Sequence, residues 1–307
     1  MSCISPTVVR RGSSAFLAPC GKCSQCIASK VSEYTFLYQK EWLKPVYASS
    51  GASFLCLTYD DSNVPVSPKG YMSTKIDDLQ RFFKRFRINL SRIGYDIPIK
   101  YISCTEYGGD NGRPHCHASI LGVPPVLCAD IARKSWTDKH YGGLIDVKPL
   151  NIGGVSYCLK YLSKQKPLGK IKEEYEKREC ETPRVLISKG LGVDWIRNHC
   201  KEIVDNKFTF LQNGVTHLYS RKVRDYVEAY TGVDPRPYVN DYMSKIDTHG
   251  MPLDDFNSIR DYYHARDEYF KNIQNGQSSF QLINCRLPPR MRSIGSQNIN
   301  DLINAID

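Results

Sequence analysis

The sequence predicts an α+β fold in which short antiparallel strands are flanked by helices and followed by a mixed C-terminal region. Three observations carry this reading. Ala52–Tyr59, ASFLCLTY, is a short run of strand formers closed by DDSNVPVSPKG, which is turn chemistry throughout. Ile99–Leu121 holds two apolar runs separated by GGDNGRP, the pattern of two strands reversing through a loop. Apolar residues recurring at three and four mark helices over Ile27–Trp42 and from Thr74 to Leu90.

From the N-terminus, the first distinctive feature is Cys20-Gly-Lys-Cys23-Ser-Gln-Cys26 after Pro19. Overlapping C-x-x-C steps suit tetrahedral zinc, because a tight knuckle turns two thiolates towards one centre. Cys20, Cys23 and Cys26 supply three thiols, so a fourth ligand would come from Cys3 or a more distant cysteine; an iron–sulfur run would want a cysteine where Lys30 stands. Structural Zn2+ and reduced, unliganded thiols are the two readings. The helix Ile27–Trp42 carries Val31, Tyr34, Tyr38 and Trp42 on one face. Thr74 is placed to cap the next helix, whose apolar stripe is Ile76, Leu79, Phe82 or Phe83, Phe86 and Leu90. Its other face holds Arg81, Lys84, Arg85 and Arg87, with Arg92 just beyond, which is either a solvated surface or a phosphate-contacting one.

The strand pair that follows carries the chemistry. His115 and His117 are two apart, so they share one face of a strand while Cys116 points to the other. Glu106 ends the preceding strand and, with the pair in register, lies across from them. Two imidazoles and a carboxylate with open positions fit a divalent metal of the catalytic type. A histidine pair on a strand is also an ordinary half-buried polar edge, so the context decides. Val126–Lys139 reads as a helix, Leu144–Val147 as a strand and Val155–Gln165 as a further helix. On the last of these Tyr157 and Tyr161 are neighbours four apart, with Lys160 and Lys164 beside them and Val155, Leu159 and Leu162 to pack behind. Beyond Pro167, KIKEEYEKRECE is a charged, exposed stretch and PRVLISKGLGVDW a strand running into a glycine turn. Phe208–Leu211 and Val215–Tyr219 form a hairpin around Asn213-Gly214. Lys222–Tyr230 and Asp254–Ile273 are expected as helices, and the tail from Arg286 as a polar, loosely ordered end.

Composition narrows the function classes. With 41% hydrophobic and 24% charged residues the chain is globular, and its net charge of +10 favours a polyanionic partner. The twelve cysteines are scattered and no secretory leader precedes them, so reduced thiols in a cytoplasm are expected. No apolar run approaches the roughly 18 residues of a membrane span. The G-x-x-x-x-G-K-[ST] loop of an ATP site is absent from the sequence.

A metal beside paired tyrosines in a basic chain suggests a tyrosine attacking a phosphodiester, with the ion stabilising the charge that develops on phosphate. At this point the residues resemble the HUH endonucleases that initiate rolling-circle replication, above all those of the microviruses of gokushovirus type. Phe54–Tyr59 looks like the first strand motif; Gly112–Ala118 looks like the His-hydrophobe-His motif, with Cys116 as the hydrophobe; Tyr157–Tyr161 looks like the two-tyrosine motif, and the early C-G-K-C-x-x-C is shared. The resemblance covers Pro19 to Lys164. It implies a central antiparallel sheet with the metal site in its middle, Mg2+ or Mn2+ on His115, His117 and Glu106, and Tyr157, Tyr161 and Lys160 as catalytic residues. It further implies DNA contacts from Arg81, Lys84, Arg85, Arg87, Arg113 and Lys164. The partners would be single-stranded and origin DNA, with a helicase or other replication proteins from the host, no membrane, and action in the host bacterial cytoplasm. The chain then divides into a cysteine-containing segment and helix over 1–50, a nuclease core over 51–166 and a C-terminal region over 167–307. The alternative is a non-catalytic, zinc-containing nucleic-acid-binding protein; an HUH transposase or relaxase fits less well, because those differ in the number or order of tyrosines.

Overall fold

A computed structural model describes Cys3 and residues 7–11, 14–108, 112–165 and 169–244. The helix expected at Asp254–Ile273 and the tail from Arg286 lie outside these residues. The chain forms two compact units, one built from the described parts of 1–33 with 196–244 and the other from residues 34–195.

The chain opens with an antiparallel ribbon of β1 (Thr7–Arg11) and β2 (Ser14–Ala18), followed by helix α1 (Ser24–Trp42) and a short helix α2 (Pro45–Ser50). Next come β3 (Ala52–Thr58), α3 (Ile76–Arg92), β4 (Lys100–Tyr107) and β5 (Pro114–Leu121). Helix α4 (Pro125–Ala132) runs into a π-helical segment, Arg133–Tyr141, and then β6 (Ile145–Pro149), α5 (Ile152–Lys160), α6 (Gly169–Arg178) and β7 (Val185–Ile187). Strands β3 to β7 make one antiparallel sheet in the order β6-β3-β5-β4-β7, so the predicted α+β class with a central antiparallel sheet is what the chain adopts.

Register decides what each face of this sheet does. Leu57 pairs with Cys116 and Leu55 with Ala118, and paired residues point to the same side. That side packs under α3, where Phe82, Phe83, Phe86, Leu79 and Leu90 join Leu55, Leu57, Cys116, Ala118, Ile120 and Trp136 in one buried core. Each fully buried phenylalanine there contributes about 2–3 kcal/mol. The other face carries Phe54, Cys56, Glu106, His115 and His117, and α5 lies over it: Cys158 Sγ sits 3.9 Å from Ser119 Oγ and Phe54 meets the Tyr157 ring.

Several boundaries differ from those expected. Thr74 does not cap α3: its hydroxyl donates to the Glu181 carbonyl, and the Glu181 carboxylate instead accepts from the backbone N–H of Ile76. A cap supplied from 105 residues away carries no local sequence signal. The helix expected over Val126–Lys139 changes to π winding at Arg133, a wider turn that sets Trp136 and Tyr141, five apart, together against Tyr59. Helix α5 begins at Ile152 rather than Val155 and ends at Lys160 rather than Gln165. The Asn151 side chain caps it by accepting from Gly154 N, which lets two glycines occupy its first turn. The charged stretch after Pro167 is exposed as expected and is helical as α6.

The other unit continues from helix α7 (Val193–Asn198) into α8 (Cys200–Asp205), the hairpin of β8 (Thr209–Gln212) and β9 (Val215–Leu218), α9 (Arg221–Thr231) and α10 (Arg236–Ser244). The hairpin turns at Asn213 and Gly214 with φ of 49° and 74°, as the Asn-Gly pair predicts. Glu33 is buried and accepts both the N–H and the hydroxyl of Ser220 at the start of α9. Among the described residues no helix is long and apolar enough to cross a membrane.

Candidate active site

The face of the sheet turned away from α3 brings the predicted ligands together through strand pairing. Glu106 pairs with His115 across β4 and β5, and His117 stands two residues further along, flanked by Cys104 and Cys56. Glu106 Oε1 lies 3.6 Å from His115 Nε2 and Oε2 lies 3.3 Å from His117 Nε2. The three donor atoms are all within 4.8 Å of one another.

The donor set fits a divalent cation. Both ring nitrogens of His117 are buried with no hydrogen-bond partner among the described residues; the contact to Glu106 is close but outside hydrogen-bond geometry. A buried imidazole without a partner is costly, and a cation accepting its lone pair removes that cost. His115 Nδ1 sits 3.1 Å from the Arg113 carbonyl. Donation there places the free lone pair on Nε2, facing Glu106, which is the outer contact that metal-ligating histidines use to fix their tautomer. The Arg113 side chain itself is held by Asp61 and by the Tyr59 carbonyl at the rim.

Helix α5 sets the tyrosines against this cluster. The Tyr157 hydroxyl donates to the Glu106 carboxylate, 2.9 and 2.8 Å from its two oxygens. Tyr161, just past the helix and only 3% exposed, also bonds to Glu106 and to Tyr157. The two rings are 5.9 Å apart, so the pairing expected from the four-residue spacing is realised even though the helix ends between them. Lys160 Nζ lies 4.1 Å from the centre of the Tyr157 ring and Lys164 Nζ 4.8 Å from that of Tyr161.

Phe54 is the residue whose role the sequence did not disclose. Its ring stacks on His117 at 5.5 Å and meets Tyr157 edge-on at 6.1 Å, bridging the metal-binding strand and the tyrosine helix. The available signal was its place in β3, alternate to Leu55 and Leu57 and hence off the core face. Gly154 makes the approach of α5 possible: a Cβ there would stand 2.7 Å from the Phe54 ring.

Electrostatics follow from this crowding. Burial opposes the charge on Glu106, but hydrogen bonds from His115, His117, Tyr161 and Tyr157 outweigh it and hold the carboxyl far below its usual range. Burial lowers the His115 pKa, yet the bonds to Glu106 and to the Arg113 carbonyl leave it raised. Burial, with Glu106 accepting from both hydroxyls, pushes Tyr157 and Tyr161 upward, so their phenols stay protonated in this arrangement. Cys56, beside His117 in the register, is pushed up to about 11 by burial and by the Asp146 and Glu106 charges.

The remaining predicted residues do not gather here. Arg81, Lys84 and Arg87 are exposed on α3, on the opposite side of the sheet. Arg85 is partly buried, donating to the Ser135 carbonyl and lying over the Tyr141 ring.

Residues 52–166, a span that contains every residue of this cluster, match the family model for the phage replication-associated protein ORF2. The chain is 24% identical over 234 residues to a replication-associated protein, ORF4, of Chlamydia phage 1, covering 72% of this chain and 56% of that protein. It is 24% identical over 195 residues to a replication-associated protein, ORF2, of Spiroplasma virus 4, covering 60% of this chain and 58% of the relative. The matches thus span a little over half the length of these relatives. No solved structure matches the chain significantly. The likeness to phage replication initiators read from the motifs is borne out by these matches.

Proposed function

We propose that this chain, similar to the replication-associated proteins of phages, is a site-specific single-strand DNA endonuclease and transesterase. It nicks an origin, keeps the 5′ end on a tyrosine and rejoins the strand after a round of rolling-circle replication. The observation that carries the reading is the convergence of Glu106, His115 and His117 with the Tyr157 and Tyr161 hydroxyls on one face of one sheet.

A divalent ion, Mg2+ or Mn2+, held by Glu106, His115 and His117 would supply Lewis-acid stabilisation of the charge developing on the scissile phosphate. In the nick, Tyr157 Oη forms a bond to phosphorus, the bond from phosphorus to the 3′-oxygen breaks, the phenol gives up its proton and the departing oxygen takes one up. The products are a 5′-phosphotyrosyl end and a free 3′-hydroxyl. The Lys160 ammonium over the Tyr157 ring favours the phenolate, opposing the effect of Glu106. Tyr161 stands ready as a second nucleophile, so that a regenerated origin can be cut while the first link is still in place. Because the ester energy is kept in the phosphotyrosyl bond, no nucleotide hydrolysis is needed. Arg113, Lys160 and Lys164 supply the positive charge nearest the site, with single-stranded and origin DNA as partners in the host cytoplasm and strand opening left to a host helicase.

The test is incubation with origin oligonucleotides and Mn2+, resolved on a denaturing gel. Nicking with a protein-linked product is expected from the wild type, and none from the Tyr157→Phe/Tyr161→Phe double variant. DNA binding without any nicking by the wild type would favour the non-catalytic reading instead.

A further inference from the structure

We propose that Cys3, Cys20, Cys23 and Cys26 bind one Zn2+ as four thiolates, clasping the open end of the β1–β2 ribbon to the first turn of α1. The cysteine run supplies three ligands; the structure identifies the fourth. Cys3, 17 residues before Cys20, brings its sulfur into the group, and the four sulfurs all lie within 4.8 Å of one another. Tetrahedral zinc with bonds of about 2.3 Å to sulfur requires sulfur–sulfur edges of roughly 3.8 Å. Cys3 and Cys23 are 3.8 Å apart and Cys20 and Cys26 are 4.0 Å apart. These separations are about twice a disulfide bond, which excludes oxidised pairs.

The backbone is arranged for thiolates. Cys20 Sγ accepts the N–H groups of Lys22 and Cys23, and Cys3 Sγ accepts that of Cys20. Gly21, at φ 72°, makes the tight turn that points those amides inward. The remaining cysteines differ: Cys104, Cys116, Cys128 and Cys158 are buried at separate points of the other unit's sheet and helices, with no comparable four-sulfur group among the described residues. Binding Zn2+ releases the four thiol protons to solvent and leaves a centre of net charge −2, with no change of oxidation state.

The placement gives the ion a purpose. Strands β1 and β2 form a sheet of their own, paired from Thr7↔Ala18 to Arg11↔Ser14, and a lone two-stranded ribbon is marginal in water. Cys3 precedes its open end and Cys20 follows it, so one ion joins both strands to the residues that start α1.

The experiment is metal analysis of the full chain expressed with zinc, after brief EDTA treatment to strip the Glu106/His115/His117 cluster. One zinc per chain is expected, retained in His115→Ala/His117→Ala and lost from Cys3→Ser and Cys20→Ser, while Cys180→Ser keeps it. Should the serine variants fail to fold, cobalt substitution of the wild type gives an independent readout: tetrahedral ligand-field bands and charge-transfer intensity for four thiolates. Chelating the zinc should also open residues 7–18 to protease while the five-stranded sheet stays protected. A metal-free chain that takes up no zinc, a three-thiolate cobalt spectrum with Cys3→Ser retaining full zinc, or the visible absorption of bound iron would each overturn the proposal.

Discussion

Glu106 serves two partners that compete for the same lone pairs: the cation expected between it and the histidines, and the hydroxyls of Tyr157 and Tyr161. Glu106→Gln keeps the shape and removes the charge. It is expected to weaken Mn2+ binding, measured by calorimetry, and to lower nicking by about 10²-fold, the usual cost of deleting one charge-stabilising group. Unchanged nicking would remove Glu106 from the site. His115 gives a pH signature. Its folded pKa is raised above the ordinary 6.5, so without metal its pairing with Glu106 stabilises the fold fully below 6.5, and that contribution is lost as pH rises through the raised value. Metal needs the neutral ring, so Mn2+ affinity should move the opposite way, rising over the same interval. Titrations of metal-free melting temperature and of Mn2+ affinity in the wild type and His115→Gln should show both trends only in the wild type. At this scale the sequence was informative, because the two-residue and four-residue spacings alone place His115 with His117 and Tyr157 with Tyr161. Phe54 was not readable, since its contacts depend on which strands lie beside β3.

At the scale of the element, Gly154 links α5 to the sheet. Gly154→Ala would drive a methyl into the Phe54 ring, which is already pressed between His117 and Tyr157. Because displacement of a nucleophile by a fraction of an ångström is expensive, nicking should fall about 10-fold or more while Mn2+ affinity stays within about twofold. Equal loss of both would mean that the helix positions the ligands too. In the other unit His217 on β9 is 1% exposed, and burial pushes its pKa down to about 4. The unfolded chain takes up a proton below about 6.5 that the folded state refuses, so stability should decline by on the order of 2 kcal/mol as pH falls from 6.5 to 4. Denaturant titrations of wild type and His217→Phe across that range should converge at low pH; parallel curves would contradict this. Element types were largely legible, whereas boundaries were not where distant groups set them. The α3 cap comes from Glu181, and glycines that read as a loop form the capped first turn of α5.

At the scale of the whole molecule, the sheet that holds the site takes its edge strand β7 from Val185–Ile187, beyond the 52–166 span that matches the phage family model. The backbone N–H of Thr105, next to Glu106, donates to the Arg184 carbonyl on that edge, and Arg184 N donates back to the Thr105 hydroxyl. A fragment covering residues 34–195 is therefore expected to fold and to keep the metal site, as judged by circular dichroism and Mn2+ binding, whereas 52–166 should aggregate or melt roughly 10 °C lower or more, as loss of a few kcal/mol implies. Equal stability of the two would show that β7 is dispensable. The split of the basic residues was likewise invisible in the sequence. Helical periodicity puts Arg81, Lys84 and Arg87 on one face of α3, but only strand register reveals that α3 covers the side of the sheet away from His115 and His117.

The central claim is that a tyrosine beside the Glu106–His115–His117 cluster becomes linked to DNA. Mass spectrometry of protease-digested protein after reaction with an origin oligonucleotide and Mn2+ tests it most directly. The account predicts a peptide carrying a 5′-phosphorylated nucleotide on Tyr157 or Tyr161. A linkage to any other residue, or cleavage that leaves free 5′-phosphate ends with no protein attached, would contradict it.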